Sequence, residues 1–392
     1  MRRVAFVWDE VLATYRFHSE HPLNPRRLEL TVDLIRRLGL IGDDAHPVLM
    51  PRSATESELL RVHAPEYIAA VKRVSESGVA DAAAAAFGLG SADVPVVRGM
   101  HEASLHIAGA TLVAAEAVMD GRVTRAFNIA GGLHHAKRAE AAGFCVYNDL
   151  AVAIAWLRQE HDVRVMYIDI DAHHGDGVQD LFWEDAGVLT VSFHESGAFL
   201  FPGGGNVDEV GAGDAHGTSI NVPLAPFTED DSYYRAFMDI VPDAAAAFRP
   251  DVLVMQCGCD AHARDPLTDL RCTTSLFERL VRGAGEVADR QCGGRIVATG
   301  GGGYAIHDVV PRAWTLVWAA LCDIDVADAI PADWVRAVRL ESGADVTTTL
   351  RDAPDPFGPA PRRAVVEAIN ERTVRAVRQR VLPLLTGWGL AF

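Results

Sequence analysis

The sequence predicts an α/β fold: a single domain with a central, mainly parallel sheet and helices on both faces. Three observations point to the sheet. Short β-rich runs alternate with longer helical ones, the pattern of repeated βαβ units. The run Val163–Ile168 is apolar without a break, as a strand covered on both faces must be. No repeat or low-complexity linker divides the 392 residues into halves of different character. Val4–Trp8 follows the basic Met1-Arg-Arg, lacks a signal peptide's long apolar stretch and cleavage site, and reads as the first strand. Pro25–Leu38, Pro65–Ser77 and Met100–Met119 have helical length and lead to the strand Arg125–Ile129. Asp149–Glu160 is a helix before Val163–Ile168, and Val188–Phe193 and Ser219–Val222 are the next strands. Glu229–Ala247 is the helix before strand Asp251–Gln256, and Thr274–Arg290 the helix before Arg295–Ala298. His307–Leu321 ends the repeating pattern. A last helix, about Arg362–Leu384, is expected to pack on the outside within a C-terminal extension of about 330–392. Asp81–Ala86 and Asp352–Pro361 read as the most loop-like segments.

Composition sets the outer bounds. With 49% hydrophobic and 23% charged residues the chain has ample material for a core. Trp314–Cys322 is far too short to cross a bilayer, so no membrane role and a cytoplasmic location are expected. The net charge of −17 argues against a nucleic-acid partner, whose phosphates demand a basic face. The six cysteines form no C-x2-C pair, which disfavours a structural zinc knuckle and suits buried free thiols. Oligomeric state is left open.

Ligands of open parallel sheets bind beyond the carboxyl ends of the strands. Four strands here end in unusual residues: Gly131-Gly-Leu-His-His-Ala136, Asp169-Ile-Asp-Ala-His-His-Gly-Asp-Gly177, Cys257-Gly-Cys-Asp-Ala261 and Gly300-Gly-Gly-Gly-Tyr304. If the backbone stays extended past Ile168, alternation puts Asp169, Asp171 and His173 on one side. Single residues of this kind serve as turn or core groups, but a concentration of buried acids and imidazoles needs neutralising, and a divalent cation does that. Asp171, His173 and Asp260 would supply an imidazole and two hard oxygens while leaving a coordination position open. Such a metal acidifies its water and polarises a carbonyl. His134 and His135 suit proton transfer, Asp169 and Asp176 could each accept a hydrogen bond from one of them, and Tyr304 could donate to an oxyanion. The glycine run also suits a phosphate cradle, but no Lys-Ser/Thr follows it. Residue types alone suggest metal-assisted hydrolysis of an amide.

Gly131–Lys137, Gly143-Phe-Cys-Val-Tyr-Asn-Asp149, Asp169–Gly177 and Gly300–Tyr304 resemble the motif blocks of class I-type zinc-dependent histone deacetylases. Asp265-Pro-Leu-Thr-Asp269 and Val310-Pro-Arg-Ala-Trp314 resemble the bacterial acetoin utilization deacetylases of that superfamily, and the likeness spans about 18–318. The resemblance implies the single-domain arginase/deacetylase α/β fold and hydrolysis of Nε-acetyl-lysine to lysine and acetate in an acetylated protein or peptide, with an acyl-CoA synthetase as one candidate substrate. It implies zinc on Asp171, His173 and Asp260, although this ligand set suits iron(II) as well. It further implies His135, supported by Asp176, as principal base and acid, His134, supported by Asp169, as electrostatic partner, and Tyr304 as carbonyl polariser. Phe144, Phe201, Gly143 and Leu267 would line an acyl-lysine tunnel, Asp93 would grip substrate backbone, and Arg27 would line an acetate exit. A structural potassium is implied near Asp169, Asp171, His173, Ser192 and Phe193. Phe144 and Phe201 read equally well as core, Arg27 as a surface charge and Asp93 as a turn residue when taken one at a time.

The chain also departs from the family pattern. Asp260-Ala-His-Ala-Arg264 replaces an Asp-Ser-Leu type sequence, which places His262 and Arg264 near the tunnel mouth. Asp185 and Thr218 differ from the usual residues of a second potassium site. His194 and Glu195 are expected in a loop. Competing functions are an acetylpolyamine or other small-amide hydrolase, an arginase-like ureohydrolase, and a non-catalytic acyl-lysine binder. The arginase reading lacks a second acid two residues after Asp260, and a binder would be expected to lose a ligand, His135 or Tyr304.

Overall fold

A computed structural model describes residues 2–354, 356–358 and 360–386. Eight strands form one sheet: β1 (Val4–Val7), β2 (Val48–Leu49), β3 (Arg125–Asn128), β4 (Val165–Asp169), β5 (Val188–Glu195), β6 (Ser219–Leu224), β7 (Val252–Gln256) and β8 (Ile296–Thr299). Their order is β2-β1-β3-β8-β7-β4-β5-β6, and every pairing is parallel. In β1, β3, β4, β5, β7 and β8 every residue is buried. Because successive side chains point to opposite faces, both faces of these strands are covered. One covering layer holds Met100–Met119 against β1, β3 and β8, and Asp149–His161 against β4 and β7. In the other, helices Arg26–Arg37, Val309–Leu321, Thr274–Gln291, Asp230–Phe248 and Arg363–Arg380 pack in succession.

Register matters most for function. Asn128 pairs with Thr299, Thr299 with Gln256, Gln256 with Asp169, and Asp169 with Ser192. Four strands, β3, β8, β7 and β4, therefore end on one row while β5 continues past it, and the loops that follow the four open at a common level. Strand β4 runs to Asp169 itself and the backbone bends immediately after it, so the chain is not extended through His173. Asp169 Oδ1 accepts the Asp171 N–H (3.1 Å) and Asp171 Oδ1 accepts the His173 N–H (3.0 Å), a run of side-chain turns that replaces ladder bonds.

Several elements differ from expectation. The two-residue edge strand β2 and the helices Asp176–Leu181 and Ala332–Ser342 were not anticipated. His194 and Glu195 lie in β5, not in a loop, because β6 continues alongside them and pairs with both. The terminal helix stops at Arg380 and a short second one spans Leu382–Thr386; Pro383 lacks the N–H needed to carry the first onward. Asp352, in the segment expected to be loop, is a buried anchor. It accepts from His262 Nε2 (2.9 Å), Arg312 Nη1 (3.0 Å) and the Thr274 N–H (2.9 Å). The C-terminal extension is thus fastened to the domain, also through Trp334, Val335 and Val338 packed against Leu30, Leu34 and Leu316. Residues 387–392 of that expected extension fall outside the described residues.

Candidate active site

The loops after β3, β4, β7 and β8 converge on a group of buried ionisable side chains. Asp171, His173 and Asp260 each offer a ligand atom, all within 4.8 Å of one another. His173 Nδ1 lies 3.2 Å from Asp171 Oδ1 and 2.9 Å from Asp260 Oδ2. Backbone turns aim these carboxylates. Ala172 N–H donates to Asp260 Oδ1 (2.7 Å), Gly302 N–H to Asp171 Oδ2 (2.7 Å), and Gln256 Nε2 to Asp171 Oδ2 (2.6 Å). Glycine is required next to them. A Cβ on Gly302 would stand 2.1 Å from Asp260 Oδ2 and 2.8 Å from Asp171 Oδ2, and one on Gly258 would stand 2.1 Å from Asp171 Oδ2. Burial, then the charge of Asp171, pushes the Asp260 carboxyl up to about 8. Two adjacent buried acids facing one imidazole are a donor set that a divalent cation fits, since it removes the repulsion that otherwise holds one acid protonated.

Beside this group stand the two histidines. His134 Nδ1 lies 2.8 Å from Asp169 Oδ2, His135 Nδ1 lies 2.7 Å from Asp176 Oδ1, and the two Nε2 atoms are 2.9 Å apart. Burial alone would lower the His134 imidazolium, but the carboxylates of Asp169 and Asp171 outweigh it and raise it to about 9. Burial and then the neighbouring His134 charge lower His135 to about 4, against the pull of Asp176. A proton arrangement in keeping with these shifts satisfies all three contacts. A cationic His134 donates to Asp169 and to His135 Nε2, and a neutral His135 donates through Nδ1 to Asp176. Against burial, the His135 hydrogen bond and charge hold the Asp176 carboxylate at about 2, below its usual range, aided by Lys137 Nζ 3.2 Å from Asp176 Oδ2. Tyr167 also donates its hydroxyl to Asp169.

Tyr304 ends the glycine loop after β8. Burial, then the charges of Asp260 and Asp171, keeps its phenol protonated well above the ordinary range. Its ring meets Phe144 edge-on at 5.7 Å, while Phe201 meets His135 edge-on at 5.0 Å. Both phenylalanines thus border the histidines and tyrosine, and Phe201 is 45% exposed, which a core residue would not be. Arg27 Nη1 donates to the carbonyls of Gly301 (2.8 Å) and Gly303 (2.9 Å), so it is buried against the glycine loop and not a surface charge. Asp93 Oδ2 accepts the Gly143 N–H (3.0 Å), and half-buried Leu267 lies in the loop after β7. Ser192 and Phe193 sit in β5 beside Asp169, with Ser192 Oγ 2.9 Å from His194 Nδ1.

His262 is elsewhere. It is fully buried on Asp352 and so serves the C-terminal anchor and not a tunnel mouth, whereas Arg264 is half exposed and bonds Asp308 (2.9 Å). Sequence reasoning missed Gln256, Asp149 and Asp265. Asp149 accepts the N–H groups of Gly132 (3.1 Å) and Leu133 (2.8 Å) and so fixes the turn into His134. Asp265 accepts the Tyr304 N–H (2.7 Å) and the Leu267 N–H (3.0 Å). The available signal was weak: a polar residue closing an apolar strand for Gln256, and acids within the motif blocks for the other two.

A histone deacetylase domain profile matches residues 21–321. The acetoin utilization protein AcuC of Bacillus subtilis (strain 168) is 43% identical over 374 residues, covering 95% of this chain and 96% of that protein. AcuC of Staphylococcus aureus (strain MSSA476) is 36% identical over 371 residues, covering 94% and 95%. Among solved structures, a histone deacetylase homologue from Aquifex aeolicus superposes with a TM-score of 0.84 at 30% identity, over 95% of this chain and all (100%) of that one. A histone deacetylase homologue complexed with SAHA gives 0.85 at 30% identity.

Proposed function

The chain belongs to the histone deacetylase family, and from that premise we propose that this deacetylase hydrolyses Nε-acetyl-lysine in a protein or peptide, releasing acetate and lysine. The observation that carries the reading is the joining, in one buried cluster, of a dication donor set, a pair of histidines backed by separate acids, and a protonated tyrosine. Asp171, His173 and Asp260 would hold the metal, zinc or iron(II), which when bound supplies Lewis acidity for a carbonyl and for water.

The remaining chemistry falls to the chain. His135 Nε2 is the neutral acceptor: once the His134 N–H turns from it toward the developing negative charge, it takes a proton from water as the acyl carbon is attacked and returns it to the departing amine. Asp176 fixes its tautomer through Nδ1. His134 stays cationic and stabilises negative charge as it develops. Tyr304, held protonated, donates its hydroxyl to the acetyl oxygen. Phe144 and Phe201 flank the lysine methylenes with Gly143 and Leu267, Asp93 holds the substrate backbone, and Arg27 lines a path for acetate. We also assign a structural potassium to Asp169, Asp171, His173, Ser192 and Phe193, supported by the direct pairing of Asp169 with Ser192 across β4 and β5.

The test is acetate release from an Nε-acetyl-lysine peptide, an acetylated acyl-CoA synthetase and an acetylated polyamine, each with and without chelator. Chelator-sensitive turnover of the peptide or protein, at least tenfold faster than of the polyamine, is expected. Preference for the polyamine would replace the protein-lysine assignment with the small-amide one.

A further inference from the structure

Asp265 is nearly buried, and both its carboxylate oxygens are committed to backbone. Oδ2 accepts the Tyr304 N–H at 2.7 Å and Oδ1 the Leu267 N–H at 3.0 Å. These N–H groups belong to different loops, the first after β8 and the second after β7. Tyr304 follows Gly300–Gly303, a run whose Gly301 and Gly303 have φ of +152° and +142°, conformations that side chains rarely adopt. Such a run has no side chains of its own to hold it. Its carbonyls are gripped by Arg27 at Gly301 and Gly303 and by the Cys259 N–H at Gly302 (2.8 Å), and Gly302 N–H is held by Asp171. Those contacts fix the middle of the loop. Asp265 fixes its end, at the residue whose hydroxyl is needed.

We propose that Asp265 is a positioning residue that sets Tyr304 for hydrogen-bond donation and ties it to the Leu267 wall. The inference rests on the assignment of Tyr304 as the acyl-oxygen donor. A carboxylate is the right group because it accepts twice and donates nothing. Asparagine of the same shape keeps one acceptor and turns an N–H toward a backbone N–H, so one of the two loops is released. Charge-assisted bonds from two amides also hold more firmly than neutral ones.

The experiment is a double-mutant cycle on the zinc-reconstituted full chain with an Nε-acetyl-lysine peptide, using Asp265→Asn, Asp265→Ser, Tyr304→Phe and the combinations. Metal content and amide hydrogen exchange of the 300–305 segment are measured alongside. Each Asp265 variant is expected to lower kcat at least tenfold with KM changed less than threefold, to retain metal, and to speed exchange in that segment. In the Tyr304→Phe background the same substitutions should lower kcat less than threefold further. Equal losses in both backgrounds, kcat within twofold of the parent, or collapse of both variants with loss of metal would each overturn the proposal. If Tyr304→Phe alone keeps full kcat, the underlying assignment of Tyr304 fails instead.

Discussion

At the scale of single residues, the proposed mechanism separates groups that would hold a metal from groups that would move protons, and substitutions should separate them too. Asp171→Ala removes one of two carboxylates in the donor set and should reduce bound metal below a tenth of the parent's content by elemental analysis. His135→Ala leaves Asp171, His173 and Asp260 in place. It should keep near-normal metal while lowering kcat/KM by 10²-fold or more, the usual worth of a positioned acid–base group. Asp176→Asn acts through His135. Because Asp176 raises the basicity of His135 against burial and the His134 charge, its neutralisation weakens the base. The expected outcome is a kcat/KM lowered about tenfold with unchanged metal content, and parent-level kcat/KM would refute the coupling. These residues were legible in sequence because several unusual types fall within a few positions at strand ends. Gln256, Asp149 and Asp265 were not, since a lone buried acid or amide looks the same in sequence whether it braces a core or aims a catalytic loop.

At the scale of elements, the shared row Asn128–Thr299–Gln256–Asp169–Ser192 turns four separate loops into one site. Sequence could place every strand but β2 to within a residue or two, and the rule about carboxyl ends then gathered their loops. It could not give strand order or register, because a continuously apolar strand carries no alternation to set its pairing. For the same reason β5 ran past its expected end: His194 and Glu195 are polar, and only the neighbouring β6 keeps them in the ladder. The loop after β8 packs tightly on the Asp171 and Asp260 carboxylates, so its glycines belong to the candidate metal site. In Gly302→Ala the new methyl would push against both Asp260 Oδ2 and Asp171 Oδ2. Metal affinity should fall about 10- to 100-fold, as for other groups that orient ligands, when titrated against a competing chelator. Unchanged affinity would mean the loop yields without moving the acids.

At the scale of the whole molecule, the fold buries several neutral imidazoles, and this dictates how it responds to acid. His63, His174, His194 and His262 all have their protonated forms disfavoured, in each case chiefly by burial. His63 is the clearest, lowered to about 4 while it accepts the Asn148 N–H (3.0 Å) through Nε2. Unfolded, each titrates at an ordinary value near 6.5. Between that value and the folded one, the unfolded chain binds protons that the folded chain refuses, so stability falls as pH falls. At pH 5 the deficit from His63 alone is about 2 kcal/mol, at about 1.4 kcal/mol per unit. In the metal-free chain the raised histidines His134 and His173 do not offset this, since below pH 6.5 they are protonated in both states. Asp352 adds a second phase. Its carboxylate is held well below the usual range by His262 and Arg312 against burial, so its contribution is present above about pH 4 and fades only below that. Thermal melts should therefore lose several degrees between pH 7 and pH 5, and His63→Gln, which cannot be protonated, should flatten that slope. A melting temperature constant across this window would show that these imidazoles reach solvent and are protonated without unfolding.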